Sequence, residues 1–383
     1  MSASMTSTSP RMQTPPRAQR PIPPGADPVT GRSPTPAGAA GRRSQRPLVP
    51  DAGSVAVQPT DADTDAEADA TMVPQSTPDD PAAPAEPLLS DARATALEAT
   101  SHADIEVEDV HTHARLRDAV ELFDEVWGRD AEAGSIFAPE ALTALAHAGG
   151  QVSIARRRAD GRVVAATAAL LGRDHATGAV HLHSHVTGVV AGEEGRGIGR
   201  AMKWHQRAWA LERGIGEVRW TFDPLIRRNA VFNLALLGAG VRRYLVDLYG
   251  PMPDARNHGL PTDRLEASWD LTAPRVRAAA EGRVATPDVE ALRGAGAQSL
   301  LDVGDGQEPV HTPTTASRRL VRIPADIERL RSETPELGRA WTEAVRATLG
   351  AALDAGARLT GCTRDGWYVL AEPVGLRELA DRR

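Results

Sequence analysis

Regularly spaced apolar residues appear only after about residue 104 of this chain. The preceding segment, 1–100, is rich in Pro, Ser, Thr, Ala and Asp, shows no apolar period and contains no aromatic residue. Such a segment buries too little apolar surface to offset the entropy of its own chain. We therefore predict a long disordered N-terminal tail over residues 1–100.

From residue 104 onward, the two-residue period of strands alternates with the three- to four-residue period of helices. Asp160-Gly161 between two extended runs predicts a β-hairpin, and Pro139 predicts the first turn of a helix. The predicted elements are a strand at 105–110, helices from 112 and 139, strands on either side of 160–161 and at 179–190, a helix at 198–213, a strand at 217–222, a helix at 228–237, and strands at 241–249 and 265–271.

This order of elements predicts the fold class. The strand–helix–strand unit around 198–213 implies local parallel pairing with a right-handed crossover, whereas the hairpins before it imply antiparallel pairing. We predict an α/β domain of the mixed α+β kind over 104–271. Its sheet should be mixed, mainly antiparallel and twisted, with helices on both faces.

Residues 272–383 are predicted to form a C-terminal extension. Residues 272–310 are rich in Pro and Gly and look like a linker, and 316–372 predict a strand, a helix at 335–355 and a hairpin with an Asp365-Gly366 turn. This segment is too small to be stable alone. We expect it to pack on the preceding domain and leave open whether it adds strands to that sheet.

Composition excludes several classes of protein. The chain has 383 residues and a net charge of −7, which argues against a general nucleic-acid binder. Its single cysteine, Cys362, excludes an internal disulfide. No window approaches the roughly 18 apolar residues of a membrane span, and the N-terminus has no apolar signal region. We therefore expect a soluble cytoplasmic protein without membrane or nucleic-acid partners.

The stretch 187–216 carries the most chemical information. It leads from an apolar strand end through a turn containing four glycines into a helix. Glycines allow a backbone to approach a ligand closely. The first amides of a helix lack partners within the helix, and together with the helix dipole they attract phosphate. The stretch therefore predicts a pyrophosphate-binding turn.

Two common phosphate-binding loops fit this turn poorly. A Walker A loop requires Lys-Ser/Thr after its second glycine, but Ile198-Gly199 follow Gly197. A dinucleotide-binding loop requires a third glycine at the position of Arg200. Such a loop also follows the first strand of its fold, whereas this turn comes after several predicted strands. A glycine-rich turn without any ligand is the remaining alternative.

The sequence Glu194-Gly195-Arg196-Gly197-Ile198-Gly199 resembles motif A of the GCN5-related N-acetyltransferases (GNAT). In that family, Arg/Gln-x-x-Gly-x-Gly/Ala between a strand and a helix holds the pyrophosphate of acetyl-CoA. Glu194 replaces the Arg/Gln here. The order of elements over 104–271 is also that of the family, and Trp220–Ala239 looks like an uncharacterised bacterial branch with a C-terminal extension.

The resemblance implies where acyl-CoA binds. The pantetheine arm would pair with the strand entering the turn, one strand amide would polarise the thioester carbonyl, and the turn would surround the pyrophosphate. We expect Glu194 to face outward and backbone amides to do most of the binding, with two arginines offsetting its charge. The implied CoA-binding residues are Thr187, Gly188, Val189, Glu194, Gly195, Arg196, Gly197, Ile198, Gly199, Arg200, Asn229 and Asn233.

For the two asparagines, an alternative is that Asn229 caps its helix and Asn233 is solvated. By resemblance, the asparagines could contact CoA or the acceptor, as the first asparagine of this helix does in many family members, and the sequence favours neither alternative. Asp223, just before the helix, could begin a turn or place a carboxylate over the acceptor pocket.

Candidates for proton transfer come from a row of histidines. His181, His183 and His185 alternate along one strand and should face one side of it. They could pack, act as a base or acceptor contact, or bind zinc. The family's tyrosine acid would stand at Leu234, which leaves Tyr244 as a substitute by residue type. The candidate catalytic residues are His183, His185 and Tyr244, and we expect no metal.

Two functions follow from the resemblance. The first is an N-acyltransferase that moves an acetyl or other acyl group from CoA to a small-molecule amine by direct attack in a ternary complex. The second is a CoA-binding sensor or regulatory module that has lost catalysis. A homodimer is compatible with either function.

Overall fold

A computed structural model describes residues 86–128, 135–250, 261–283 and 286–372. The elements of the first part are α1 (Glu86–His102), β1 (Ile105–Asp109), α2 (His113–Trp127), α3 (Pro139–His147), β2 (Gln151–Arg157), β3 (Val163–Arg173), β4 (Val180–Val189), α4 (Ile198–Glu212), β5 (Glu217–Phe222), α5 (Arg227–Ala230), β6 (Gly240–Leu245) and β7 (Arg264–Asp270). Those of the second part are α6 (Pro274–Ala280), α7 (Val289–Gly294), β8 (Gln298–Val303), β9 (Pro309–His311), β10 (Arg318–Arg322), α8 (Ile327–Glu333), α9 (Pro335–Val345), α10 (Ala351–Asp354), β11 (Arg358–Cys362) and β12 (Trp367–Ala371).

The first sheet has seven strands in the order β1-β2-β3-β4-β5-β7-β6. All neighbouring strands are antiparallel except β4 and β5, which are parallel on either side of the crossover helix α4. Six successive residues of β3, Val164–Ala169, are buried. Since successive side chains point to opposite faces, both faces of the sheet are covered. The predicted mixed, mainly antiparallel sheet with helices on both faces is confirmed.

Helix α1 corrects the predicted N-terminal boundary of order. The prediction of disorder up to residue 100 is wrong from residue 86 onward, and residues 1–85 lie outside the described residues. The apolar face of α1 was not recognised because it consists mainly of small residues, among them the buried Ala92 and Ala96. Asp91 accepts hydrogen bonds from the buried Arg207 of α4, at 3.3 and 3.4 Å.

The extension forms a sheet of its own rather than adding strands to the first one. Its order is β11-β12-β10-β8-β9, and of the pairs described in this second sheet only β10–β8 is parallel. The prediction of a linker over 272–310 is wrong, because α6, α7, β8 and β9 lie there. The supposed loop residues start helices: Pro274 lies in the first turn of α6, and the Asp288 side chain caps α7.

Side chains from both sheets share one apolar core, which contains Trp269 of β7 and Trp341 of α9. Around it, Arg346 donates two hydrogen bonds to Asp263, at 2.9 and 2.7 Å. The ring of Tyr244 lies against Gly350, where an added Cβ would come within 3.2 Å. The extension is thereby packed on the first sheet through both apolar and charged contacts.

Two helical segments have the wider π form, in which the backbone bonds join residues five apart. One, Val231–Leu236, continues α5, and the other, Arg346–Gly350, joins α9 to α10. In the first of them, the Leu237 amide donates to the Phe232 carbonyl at 3.0 Å. This segment forms one wall of the site described next.

Candidate functional site

A cleft opens where β4 and β5 part. The two strands pair only at Leu182–Val218 and His183–Arg219. From Ser184 to Val189, no strand of the described residues pairs with the β5-facing edge of β4. The resulting cleft has a volume of about 860 Å³. Its walls include residues 184–187 of β4 and 220–223 at the end of β5.

A β-bulge lies at the point where the strands separate. Ala169 of β3 pairs with Ser184 and Ala168 pairs with Val186, so His185 is the extra residue. The His185 ring lies 6.1 Å from the His183 ring and 5.4 Å from that of Phe137, as measured between centroids. The predicted row thus brings His183 and His185 together, and of the two only His185 lines the cleft within the described residues.

Desolvation is the main cause that lowers the pKa of both histidines, and for His183 the neighbouring His185 lowers it further; His183 is half-buried, whereas His185 is exposed at the cleft. Both imidazoles are therefore predominantly neutral near pH 7. His181 lies near the start of β4, against Gly172. Its Nδ1 is buried and has no hydrogen-bond partner within the described part of the chain.

The glycine turn follows directly from β4. Gly195 and Gly197 have left-handed backbone angles, with φ of 78° and 84°, and Gly197 is the N-cap of α4. Such angles favour glycine. The predicted residues Ile198 and Gly199 begin the helix, with Ile198 buried. The turn therefore presents the first amides of a 15-residue helix at the end of the cleft strand.

Glu193, rather than Glu194, is the buried acid of the turn. Its carboxylate is paired with Arg157 and with Arg196, the latter at 2.9 Å. Glu194 is exposed, as we expected, and its carboxylate accepts a hydrogen bond from the Gly192 amide at 2.7 Å. Glu193 was missed because two adjacent acids in a turn do not reveal which one points inward.

The two arginines of the motif are engaged with protein groups. Arg196 pairs with Glu193, and Arg200 donates to the carbonyl oxygen of Ala279 at 3.3 Å. Arg196 is exposed and Arg200 is half-buried. The first backbone amides of α4 are further groups that the turn could offer to a phosphate.

The other CoA residues expected on β4 lie close to the cleft. Thr187 lines it, and its hydroxyl is 2.7 Å from that of Thr167. Gly188 lies beneath Trp127, where an added Cβ would be 2.8 Å from the indole ring. Trp127 also lines the cleft, so a side chain at position 188 would displace part of the wall. Val189 is half-buried and ends the strand.

Asn229 and Asn233 both line the cleft from the helix that begins at Arg227. Asn233 is 4% exposed, and its Oδ1 accepts a hydrogen bond from the indole N–H of Trp220 at 3.2 Å. The alternative of a solvated Asn233 is therefore wrong. Asn229 makes no capping hydrogen bond in this helix. Leu234 is half-buried and is not among the described residues that line the cleft.

Tyr244 lies outside the cleft, which corrects its assignment as a catalytic candidate. It is buried, and its hydroxyl donates to Asp263 at 2.8 Å. Burial, reinforced by the Asp263 carboxylate, raises the pKa of Tyr244 well above its ordinary range. Residue type alone suggested it, whereas its position makes it part of the packing between the two sheets.

Lys203 is the cleft residue that sequence reasoning missed. It is 5% exposed on the inner side of α4, and its Nζ donates to Ser184 Oγ at 2.8 Å and Gln206 Oε1 at 3.0 Å. The Nζ atom also lies 4.2 Å from the centre of the Trp220 ring. Burial lowers the pKa of Lys203 to about 7. The available signal was that this is the only lysine in the chain and that it follows motif A within one helical turn of Gly199.

The extension completes the far wall of the cleft. Arg331 of α8 donates to Asp223 at 2.6 Å, and both side chains are about nine-tenths buried. Glu328 pairs with Arg228, and Arg339 of α9 lines the cleft as an exposed side chain. Asp223 thus belongs to the cleft wall and is held there by the extension. Its side chain also accepts a hydrogen bond from a backbone amide in the turn that leads into the next helix.

In the described ranges, no group of three or more His, Cys, Asp or Glu side chains has the geometry to hold a metal ion. None of the described helices combines the length and apolar character that crossing a bilayer requires.

No family model matches this chain, and no curated protein matches it. The solved structure of yncA from Salmonella typhimurium, with its cofactor acetyl-CoA, is 13% identical over 45% of this chain and 98% of the other, with a TM-score of 0.35. A ribosomal-protein-S5-alanine acetyltransferase from Vibrio fischeri is 14% identical over 44% of this chain and 94% of the other, with a TM-score of 0.35.

An aminoglycoside acetyltransferase from an uncultured soil metagenomic sample is 16% identical over 34% of this chain and 84% of the other, with a TM-score of 0.29. The chain spans only 13% of a further match, a fungal multi-domain GH3 beta-N-acetylglucosaminidase.

Proposed function

We propose that this chain is a GNAT-type N-acyltransferase, which binds acetyl-CoA or another acyl-CoA in the cleft between β4 and β5. The observation that carries the proposal is the coincidence of three features on one strand. In the part of the chain that the structure describes, the β5-facing edge of β4 is unpaired from Ser184 to Val189, a bulge marks the point of separation, and the strand leads directly into the glycine turn.

The unpaired strand edge provides backbone donors and acceptors for the amide groups of pantetheine. An extended ligand binds such an edge as an additional strand would. The pyrophosphate would then meet the amides of residues 197–200, where the helix dipole favours negative charge. The thioester would lie near the bulge, where a strand amide could stabilise the developing negative charge on its carbonyl oxygen.

The acceptor would be a small-molecule amine that enters from the other end of the cleft. It must be neutral to attack the thioester, and the neutral imidazoles of His183 and His185 are candidate bases. In this proposal 104–271 form the acyl-CoA-binding domain and 272–383 an extension that contributes to the acceptor wall. The enzyme would act in the cytoplasm and would need no metal.

A second candidate, a CoA-binding sensor without catalysis, is favoured by two departures from the family pattern. Glu194 stands in place of the Arg/Gln of motif A, and Leu234 stands where the family places its tyrosine acid. The sensor keeps the CoA site and predicts tight binding without turnover.

The test measures CoA binding by calorimetry and thiol release from acetyl-CoA with a panel of amines. The acyltransferase predicts saturable binding and amine-dependent thiol release, together with acylated amine detected by mass spectrometry. Binding without release for every acceptor would support the sensor. Absence of any CoA binding by the full chain would contradict both functions.

A further inference from the structure

We propose that Lys203 is a catalytic residue of this cleft, and that its uncharged amine transfers a proton from the acceptor nitrogen to the sulfur of CoA. The inference rests on the proposed acyltransferase function and adds a residue that motif A does not contain. It also assigns a role to the single lysine of the chain.

The position of Lys203 is the first argument. Its Nζ bonds to Ser184, the last residue of β4 before the bulge residue His185, and lies over Trp220, the first residue of β5 beyond the paired segment. The amine thus stands between the two strands at the point where they separate. An acyl group that follows the free edge of β4 inward would end beside it.

The partners of Lys203 fix the direction of its amine. Gln206 accepts from Nζ and donates to Gln151 Oε1 at 3.0 Å, and Gln151 donates to Ser153 Oγ at 3.1 Å. A connected network of hydrogen bonds of this kind holds side chains in place. Trp220 is held in turn by Asn233, at 3.2 Å. Two N–H groups of Lys203 are therefore committed to protein acceptors.

Within the described residues, no charged acceptor holds Lys203 as an ammonium, because Ser184 on β4 and Gln206 on α4 are both neutral. The indole face of Trp220 on β5 favours the cation, and burial outweighs that contact. Desolvation is the main cause that lowers the pKa of His183 on β4, and the charge of Lys203 also lowers it. Asp223, at the end of β5, lines the same cleft but is paired with Arg331.

The hydrogen-bonded network continues from Ser153 to a distant carboxylate. Ser153 donates to Asp109 Oδ1 at 2.6 Å, and His205 Nε2 lies 2.9 Å from the same oxygen. The titratable groups Asp109 and His205 are therefore connected to Lys203 only through Gln151 and Gln206. Burial lowers the pKa of Lys203 to about 7, which makes both protonation states accessible at neutral pH.

The proposed step balances without any other reactant. The acceptor nitrogen forms a bond to the thioester carbonyl carbon, and Lys203 takes one proton from that nitrogen and becomes an ammonium. The C–S bond then breaks with its electron pair on sulfur, and the ammonium gives the proton to the thiolate. The products are an amide and CoA thiol, and Lys203 returns to its uncharged form.

The first experiment uses the fact that the chain contains one lysine. Protein labelled with ¹³C at lysine Cε and ¹⁵N at Nζ should give a single side-chain signal, whose pH titration reports Lys203 directly. We expect a midpoint near neutral pH and a change of the signal when CoA is added. A midpoint near the ordinary lysine value, or a signal that CoA does not move, would overturn the proposal without reference to activity.

The second experiment compares Lys203→Met and Lys203→Arg with the wild type. Since arginine remains charged, neither variant can accept a proton. We expect kcat to fall by roughly 10²–10⁴-fold, the usual contribution of general acid–base catalysis, and the ionisation near pH 7 to disappear from the pH profile of kcat. CoA binding by calorimetry should remain in the arginine variant.

Arg207→Met is the matched control, because it also removes a buried cation from α4 but lies outside the cleft. It should lose stability and keep the pH profile of kcat. The rival base is tested by His185→Gln. If Lys203→Arg keeps the wild-type kcat and profile while His185→Gln loses them, the Lys203 proposal is wrong and the acyltransferase stands. If the wild type itself transfers no acyl group, the proposed function fails first.

Discussion

Replacing Tyr244 by phenylalanine separates a packing role from a catalytic one. The substitution removes only the hydroxyl that donates to Asp263 at 2.8 Å and keeps the ring against Gly350. Asp263 retains two hydrogen bonds from Arg346 and one from the Asp247 amide. Tyr244→Phe should therefore lower stability and leave the acyl-transfer rate unchanged.

The magnitude follows from the charge of the acceptor. A hydrogen bond to a charged group contributes about 1.5–3 kcal/mol to stability. Because Asp263 keeps its other partners, the loss should lie near the lower end, about 1.5 kcal/mol. For 150–250 residues, 1 kcal/mol shifts the melting temperature by about 2–4 °C, and the described part of this chain is somewhat larger, so the expected decrease is roughly 3 °C.

The assay is thermal unfolding by circular dichroism together with amine-dependent thiol release on the same preparation. Tyr249→Phe serves as the control: its hydroxyl contacts Thr221 at the surface, and its loss should change stability by no more than about 0.5 kcal/mol. If Tyr244→Phe lowered kcat by orders of magnitude at an unchanged melting temperature, the assignment of Tyr244 to packing would be wrong.

Three further predictions concern the turn, the buried lysine and the N-terminal boundary. Glu194→Arg should leave CoA binding unchanged or strengthen it, since Glu194 is exposed and backbone amides are expected to bind the pyrophosphate; marked weakening in calorimetry would refute this. The stability of the wild type relative to Lys203→Met should rise with pH from about 7 to about 10.5, because in that window Lys203 is protonated in the unfolded chain and uncharged in the folded one. Urea unfolding across this range tests the sign, and a difference that falls with pH would contradict the prediction. Deleting 1–85 should leave CoA binding intact, whereas deleting 1–103 should lower the melting temperature, because Ala92 and Ala96 of α1 are buried; equal stability of the two truncations would show that α1 does not contribute.

The elements of 104–271 were predictable because their apolar periods are long and their turns carry strong signals. The hairpin at Asp160-Gly161 and the helix after Gly197 are examples, and both depend on local sequence. Helix α1 and the strands β8 and β9 were not predictable in this way, whereas the strand, the helix and the Asp365-Gly366 hairpin predicted over 316–372 correspond to β10, α9 and β11–β12. Residues of α1 and β8 pack in the shared core against partners that are distant in sequence.

The residues of the cleft likewise divide into those that local sequence reveals and those that only the fold brings together. The glycine turn and its strand were found from spacing alone; the strand lines the cleft, and the turn follows directly from the strand. Lys203 was not found, because its importance depends on Ser184 and Trp220, which are distant in sequence and meet only in the fold. Tyr244 was chosen by residue type, and its burial beside Asp263 could not be read from its neighbours in the chain.

The π-helical segment Val231–Leu236 affects how this sequence should be aligned with others. A turn that closes on the fifth residue contains one residue more than an α-helical turn, so it behaves as a one-residue insertion that leaves both ends of the helix in place. Counting back four residues from Gly238 gives Leu234, but the residue that the wider turn directs into the cleft is Asn233. A gap-free alignment through this helix would therefore match each residue before the insertion to the wrong partner. Deleting one residue within 231–236 is the change that would restore the ordinary helical register.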